Sequence, residues 1–474
     1  PKHPLGGLSR RNTVLETERA KGPVVVVDAG NALWKGAILS ESDRGQEERK
    51  ATLIAESYAL VGIDAMGVGD GELAFGLPWL QALQKKHSLP YVAANLDCSG
   101  EHPFEAGKVV ERGGIRIGIV GLVGNSAKVP GCLASEPVAA AEAAFAALGD
   151  VDIRILLSTQ QVSDDHRVAE KLPDLDFIIN GGERRENLIP EALSNGGLLM
   201  AGGSRGKKVG MLAFDLSGSG HDWRDAGALG ELARRKDATT QRIQEAKEKL
   251  AKSEDPKEQA RLKTRIEYYK KQVVELEKQL GAASAGTASR SVENRFVELG
   301  TEVADHPATA ALVARAKEEV SALVGIVKPT ALGTGPFVGS AACLPCHAAQ
   351  ASQWSTTPHA RAYASLGAQN RQKDEACYSC HVTGAFHPDG PHNPGAVGGL
   401  ENVGCESCHG PGRDHVATPG SVDMVAKPEV TVCTQCHDGV KDEGRFDPIQ
   451  YLPRVAHTSP HLDAPPGTPV PAKP

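Results

Sequence analysis

Four times in its last third the chain sets cysteine, two residues, cysteine and histidine in a row. The runs are Cys343-Leu344-Pro345-Cys346-His347, Cys377-Tyr378-Ser379-Cys380-His381, Cys405-Glu406-Ser407-Cys408-His409 and Cys433-Thr434-Gln435-Cys436-His437. With 10 cysteines and 16 histidines in 474 residues, chance would supply roughly 0.01 such runs, so four demand a chemical reason. The spacing is the attachment signal for c-type haem. Two thiols add to the two vinyl groups, the two-residue spacer sets their separation, and the following histidine reaches the iron. Four haems on so short a segment constrain its fold more than any side chain does, because each is a large apolar plate. Paired C-x-x-C runs also build four-cysteine zinc sites, but zinc does not need a histidine after every second cysteine. A thioredoxin-like redox pair normally occurs once, beside a βαβ unit.

Eight of the ten cysteines and ten of the sixteen histidines fall between Cys343 and His461. The spare imidazoles there, His359, His387, His392, His415, His457 and His461, are candidates for the sixth iron positions. Cys98 and Cys132 are left over, as a disulfide or as two buried thiols. Covalent haem implies assembly outside the cytoplasm, where a disulfide is permitted. Aromatics are only 4%, which suits a core filled partly by cofactor. A net charge of −7 argues against nucleic acid as the main partner. No run approaches the roughly 20 apolar residues of a membrane span. No charged and apolar leader opens the chain, so any export signal is expected to have been removed.

Upstream, apolar strand patterns alternate with helical ones through residues 1–220, which reads as an α/β domain with a buried sheet. Strands are predicted at 24–30, 91–96, 115–124, 152–159, 177–182, 197–202 and 209–216, and helices at 46–60, 77–86, 137–148 and 164–172. Residues 221–285 turn charged. Leu262, Ile266, Tyr269, Val273, Leu276 and Leu280 follow a heptad seam, and Pro256 opens a second helix after a break, so an antiparallel helical hairpin is expected. It serves as a solvated spacer or as a partner-docking arm. A strand near 292–299 and a helix near 306–323 return the chain to the α/β domain over 286–330. Residues 331–474 form the haem-bearing domain, with a Pro-rich tail.

Gln353 with His359-Ala360, the run Val403-Gly404-Cys405-Glu406-Ser407-Cys408-His409-Gly410-Pro411-Gly412-Arg413-Asp414-His415, and Phe446-Asp447 followed by His457 resemble cytochrome c-554, a family of tetrahaem electron carriers. The resemblance implies three bis-histidine haems and one with an open axial site. It would pair His347 with His415, His409 with His457 and His437 with His359, leaving His381 at the open iron. The loop 386–393 departs from the family, and its His387 or His392 could close that iron.

Gly6-Gly7-Leu8 with Arg10-Arg11, Val27-Asp28-Ala29-Gly30, Gly69-Asp70-Gly71-Glu72, Ala93-Ala94-Asn95-Leu96 and Leu156-Leu157-Ser158 resemble the metallophosphoesterase domain of periplasmic 5′-nucleotidases. That resemblance implies a sandwich of two β-sheets flanked by helices, and a two-metal site. The metal ligands are replaced here: by Asn31, by Asp70 and Gly71, by Thr159, and by Glu183, Arg184 and Arg185. A metal-free scaffold is expected, with no catalytic residues of its own. The combined reading is an exported multihaem c-type cytochrome, periplasmic or on the cell surface. It would exchange electrons with other cytochromes or a membrane-bound electron-transfer complex. The alternatives are an oxidoreductase acting on a small nitrogen or sulfur species at an open haem, and a phosphoesterase with a redox accessory.

Overall fold

The computed structural model describes residues 5–34, 39, 44–124, 131–183, 186, 189–203, 205–218, 220–285, 290–324, 332, 334–439, 442 and 446–457. The chain divides into two compact units, Pro1–Leu39 with Ala51–Val313, and Ser40–Lys50 with Ala314–Pro474.

The first unit is built on a six-stranded sheet in the order Glu191–Ala192, Leu198–Met200, Phe177–Asn180, Ile153–Ser158, Ile115–Leu122, Gly107–Arg112. Its four central strands are parallel and both edges antiparallel. Strand alternation sends side chains to opposite faces. Val120, Leu122, Leu156, Ile178 and Leu199 go to one face, covered by Ala141, Ala144 and Phe145 of helix Pro137–Leu148 and by Val168 and Ala169 of helix Val162–Lys171. Ile117, Ile119, Ile155, Leu157, Phe177 and Met200 go to the other, where they meet Ala65 and Val92 of a second, parallel sheet. That sheet has the order Val27–Asp28, Ala65–Gly67, Tyr91–Val92. The backbones come so close that a Cβ on Gly121 would lie 2.0 Å from the Val92 carbonyl oxygen. A third sheet pairs Lys208–Asp215, Arg290–Glu298 and Trp223–Asp225.

Helices Ala228–Lys252 and Pro256–Ala285 lie against each other. Ala246, Leu262 and Ile266 are buried between them, with Ile243 and Leu250 packed alongside. Leu276 is also buried, and Tyr269, Val273 and Leu280 are half-buried, whereas Tyr268 and Val274 stand exposed.

Several expected elements are corrected. The run 24–30 pairs only at Val27–Asp28. The run 91–96 splits, because Asn95 leaves the ladder: its side chain bonds the Val123 carbonyl at 3.0 Å and the Val123 N–H at 2.7 Å. Leu96–Cys98 then pairs with Cys132–Ala134, and a disulfide joins the facing residues Cys98 and Cys132. Helix Leu8–Arg19 has no counterpart among the expected elements because one of its three buried positions is the polar Asn12, which blurs the apolar period.

The second unit is mostly short helical turns. Its apolar cluster is small: Phe337, Tyr378, Val382, Ala385, Val397 and Leu400, with Tyr363 at its edge. No described helix is long and apolar enough to cross a membrane.

Candidate functional site

Each cysteine motif coils into about one helical turn. Cys343 ends a 3-10 turn and its carbonyl accepts the His347 N–H at 2.9 Å. The Cys433 carbonyl accepts the His437 N–H at 2.9 Å. Cys405–His409 is a short α-helix, and Glu375–Tyr378 leads into the 3-10 turn Ser379–His381. In such a turn positions i, i+3 and i+4 share a face, the placement that attachment of one haem by two thiols and a histidine calls for. None of the eight motif cysteines is in a disulfide. Among the described residues no three Cys, His, Asp or Glu side chains converge as a metal cluster.

The histidines come together in pairs. Ring centres lie 6.3 Å apart for His347 and His415, 6.3 Å for His359 and His437, and 6.1 Å for His409 and His457. An imidazole nitrogen binds a transition metal at roughly 2.0 Å and lies about 1.1 Å from its ring centre, so two rings on one metal stand roughly 6.2 Å apart. The three spacings fit an iron between each pair.

Hydrogen bonds hold Nδ1 of three of the paired histidines. Nδ1 of His409 bonds the Val425 carbonyl at 2.6 Å, and Nδ1 of His415 bonds the Val422 carbonyl at 2.7 Å. Nδ1 of His457 bonds Gln353 Oε1 at 3.0 Å. Such partners set the tautomer and leave Nε2 with its lone pair. Burial, followed by the neighbouring imidazoles, holds His347, His359 and His457 below the usual histidine range, which favours the neutral, ligating form.

His381 is different. Its Nδ1 bonds the Ala362 carbonyl at 2.6 Å, but among the described residues no second imidazole stands opposite it at the spacing of the other pairs. His387 and His392 are tied within their own loop. His387 accepts the Asp389 N–H at 3.1 Å and packs edge-on against Phe337, while His392 Nε2 bonds the Pro388 carbonyl at 2.7 Å. His461 lies outside the described residues.

Two polar anchors around the motifs had no periodic signal in the sequence. Asp374 caps the turn that carries Cys377. It accepts the Ala376 N–H at 3.1 Å, Lys50 Nζ at 2.7 Å and the Arg371 guanidinium. Those two cations hold its carboxyl below the ordinary range against the opposing effect of burial. Glu406, between Cys405 and Cys408, is 3% exposed and receives N–H bonds from Val338, Gly339 and Gly412.

In the first unit, several of the residues singled out in the sequence bond the backbone of neighbouring loops. Glu72 is fully buried and accepts N–H bonds from Asn31 (2.7 Å), Ala32 (2.7 Å), Leu33 (3.2 Å) and Gly69 (2.9 Å). Burial, then the Asp28 charge, outweighs these donors and pushes its pKa up to about 7. Asn31 donates to the Gly181 carbonyl at 3.0 Å and accepts the Gly71 N–H at 2.9 Å. Thr159 bridges the Val68 carbonyl and the Gly124 N–H. Glu183 accepts the Val162 N–H at 2.9 Å. Asp28 binds the Gly30 N–H and the Tyr58 hydroxyl, and Asp70 is exposed. A Cβ on Gly71 would lie 2.6 Å from the Trp34 carbonyl oxygen, so no larger residue fits there without a loop shift. Arg184 and Arg185 lie outside the described residues.

Similar structures include the sulfate thiohydrolase SoxB of Thermus thermophilus in complex with glycerol, at 19% identity over 45% of this chain and 40% of that one, TM-score 0.40. A 5′-nucleotidase precursor, also from Thermus thermophilus, shares 17% identity over 69% of this chain and 56% of that one, TM-score 0.46. The calcineurin-like phosphoesterase YfkN of Bacillus subtilis shares 16% identity over 66% of this chain and 89% of that one, TM-score 0.43. The chain thus spans about half the length, or less, of the first two. No curated protein matches it. Residues 342–410, which hold three of the four cysteine motifs, match the family model described as cytochrome c554 and c-prime.

Proposed function

We propose that the chain is an exported tetrahaem cytochrome c that carries electrons. Three of its haems would be held by the histidine pairs, and the fourth by His381 alone. The observation that carries this reading is the spacing of the three imidazole pairs, 6.1–6.3 Å, each fit for one metal. Haem c would be attached at Cys343 and Cys346, Cys377 and Cys380, Cys405 and Cys408, and Cys433 and Cys436. When bound it supplies one-electron chemistry at an iron whose potential the axial ligands set. The protein's own part is to keep imidazoles neutral, orient them through Nδ1, and hold them still. Fixed ligands suit electron transfer because little has to move when the charge changes.

The first unit serves as a scaffold in this reading. Asn31, Glu72, Thr159 and Glu183 are engaged with backbone N–H and C=O groups, which favours a structural role for them. The disulfide Cys98–Cys132 suits an oxidising compartment, periplasmic or at the cell surface. Redox partners would be other cytochromes or a membrane-bound electron-transfer complex. A second reading, an oxidoreductase on a small nitrogen or sulfur species, is favoured by one feature: His387 and His392 are both bound within their loop, leaving no imidazole opposite His381 among the described residues.

The test is haem content. Four haems per chain should remain attached after denaturation and acid extraction, counted by pyridine haemochrome. Fewer than four, or stoichiometric zinc by elemental analysis, would defeat the proposal.

A further inference from the structure

Glu406 is a buried carboxylate with no ion-paired cation among the described residues. Only 3% of it is exposed. Its Oε1 accepts the Gly412 N–H at 2.7 Å and the Val338 N–H at 3.0 Å, and its Oε2 accepts the Gly339 N–H at 2.8 Å. Among the described residues no lysine, arginine or histidine forms an ion pair with it. Asp374, the other buried carboxylate beside a motif, is neutralised by Lys50 and Arg371. Backbone N–H groups solvate an anion but bring no net charge, and an unpaired buried charge is costly. Something of opposite sign is expected nearby when the protein is complete.

The position says what that is. Glu406 lies between Cys405 and Cys408 in sequence, and two of its donors, Val338 and Gly339, immediately precede the turn carrying Cys343. The carboxylate therefore sits at two haem attachment sites at once. On the haem reading above, which this inference rests on, a ferric centre with two neutral imidazoles carries one net positive charge at its core, and the ferrous centre none. We propose that Glu406 is the fixed counter-charge to these two ferric centres and holds down the reduction potentials of the haems at Cys343/Cys346 and Cys405/Cys408. The step is Fe(III) plus one electron to Fe(II). The electron comes from a one-electron donor protein, and no bond or proton moves. A fixed anion in a low-dielectric site favours the more positive state and so opposes that electron. Glu406 is thus a positioning residue that ties two loops together and also sets a potential.

The experiment is a spectroelectrochemical titration of the full chain carrying Glu406→Gln, beside Glu406→Asp and the unsubstituted protein, with haem counted in each sample. Glu406→Gln should raise two of four midpoints, so that at a fixed ambient potential the reduced-to-oxidised ratio of those haems rises on the order of tenfold. The other two should stay put. Glu406→Asp, which keeps the charge, should leave all four within about twofold in that ratio. Four haems with unmoved potentials in Glu406→Gln would overturn the role of Glu406 alone. Fewer than four haems in the unsubstituted protein would overturn the haem reading instead. Should Glu406→Gln fail to assemble, redox-difference infrared spectra of unsubstituted protein labelled with [13C]glutamate decide. A labelled carboxylate band shifting in step with two of the haems supports the role, and no such band contradicts it.

Discussion

The two units treat their polar site residues in opposite ways. In the first, Asn31, Glu72 and Thr159 spend their hydrogen-bonding capacity on loop backbone, and Gly71 leaves no space for a side chain. In the second, Nδ1 of His409, His415 and His457 bonds protein oxygens, and the three imidazole pairs stand 6.1–6.3 Å apart at their ring centres. The cores differ likewise. Among the described residues five side-chain clusters lie in the first unit, whereas the second has one, of six buried apolar residues, and so small an apolar core gains little stability from side-chain burial alone.

The largest effect that would sharpen this contrast is loss of a haem. Replacing both Cys405 and Cys408 with Ala should remove one haem of four and melt the second unit, leaving the first unit's thermal transition in place. Haem counting with calorimetry checks it. A second unit that stays folded would break the contrast. Next is the disulfide, which belongs to a unit with its own core. Changing Cys98 to Ser opens a loop with a sequence separation of 34 and should cost roughly 3–4 kcal/mol by chain entropy, measured by urea unfolding, with no change in haem spectra.

Refilling the closed site should fail. Gly71→His combined with Asn31→Asp and Thr159→His restores three of the phosphoesterase residue types, but a Cβ at position 71 would lie 2.6 Å from the Trp34 carbonyl oxygen. We expect a loss of about 1–3 kcal/mol from overpacking and no manganese-dependent phosphodiester hydrolysis; recovered hydrolysis would show that the site is still open. The smallest effect is a pH slope. Glu72 has a folded pKa of about 7, raised from its ordinary 4.5. The folded state therefore binds the proton more tightly, and the first unit should lose stability as pH rises from about 4.5 to 7. Glu72→Gln should flatten that slope. An unchanged slope would mean that Glu72 carries no such strain.

Much of this is legible in the sequence, for reasons that differ by region. The cysteine motifs are local, so their positions can be read directly. The helix Pro137–Leu148 and the seam through Leu262, Ile266 and Leu276 are periodic, so they too can be read. The strand 91–96 is not, because Asn95 satisfies backbone groups from another strand, which no local pattern records. The roles of Gln46 and Lys50 are invisible for the same reason. Gln46 bonds the Lys373 carbonyl and the Glu375 N–H, and Lys50 bonds Asp374, across more than 320 positions of sequence. Glu406 is visible as part of a motif, but its burial and lack of a cation belong to the fold.

The central claim is that three irons are held by imidazole pairs and one is not. Low-temperature electron paramagnetic resonance of the fully oxidised full-length protein, with carbon monoxide titration of the reduced form, tests it most directly. The account predicts three low-spin centres, one high-spin centre, and carbon monoxide binding to one haem in four. Four low-spin centres with no carbon monoxide binding, or low-spin signal from fewer than three, would contradict it.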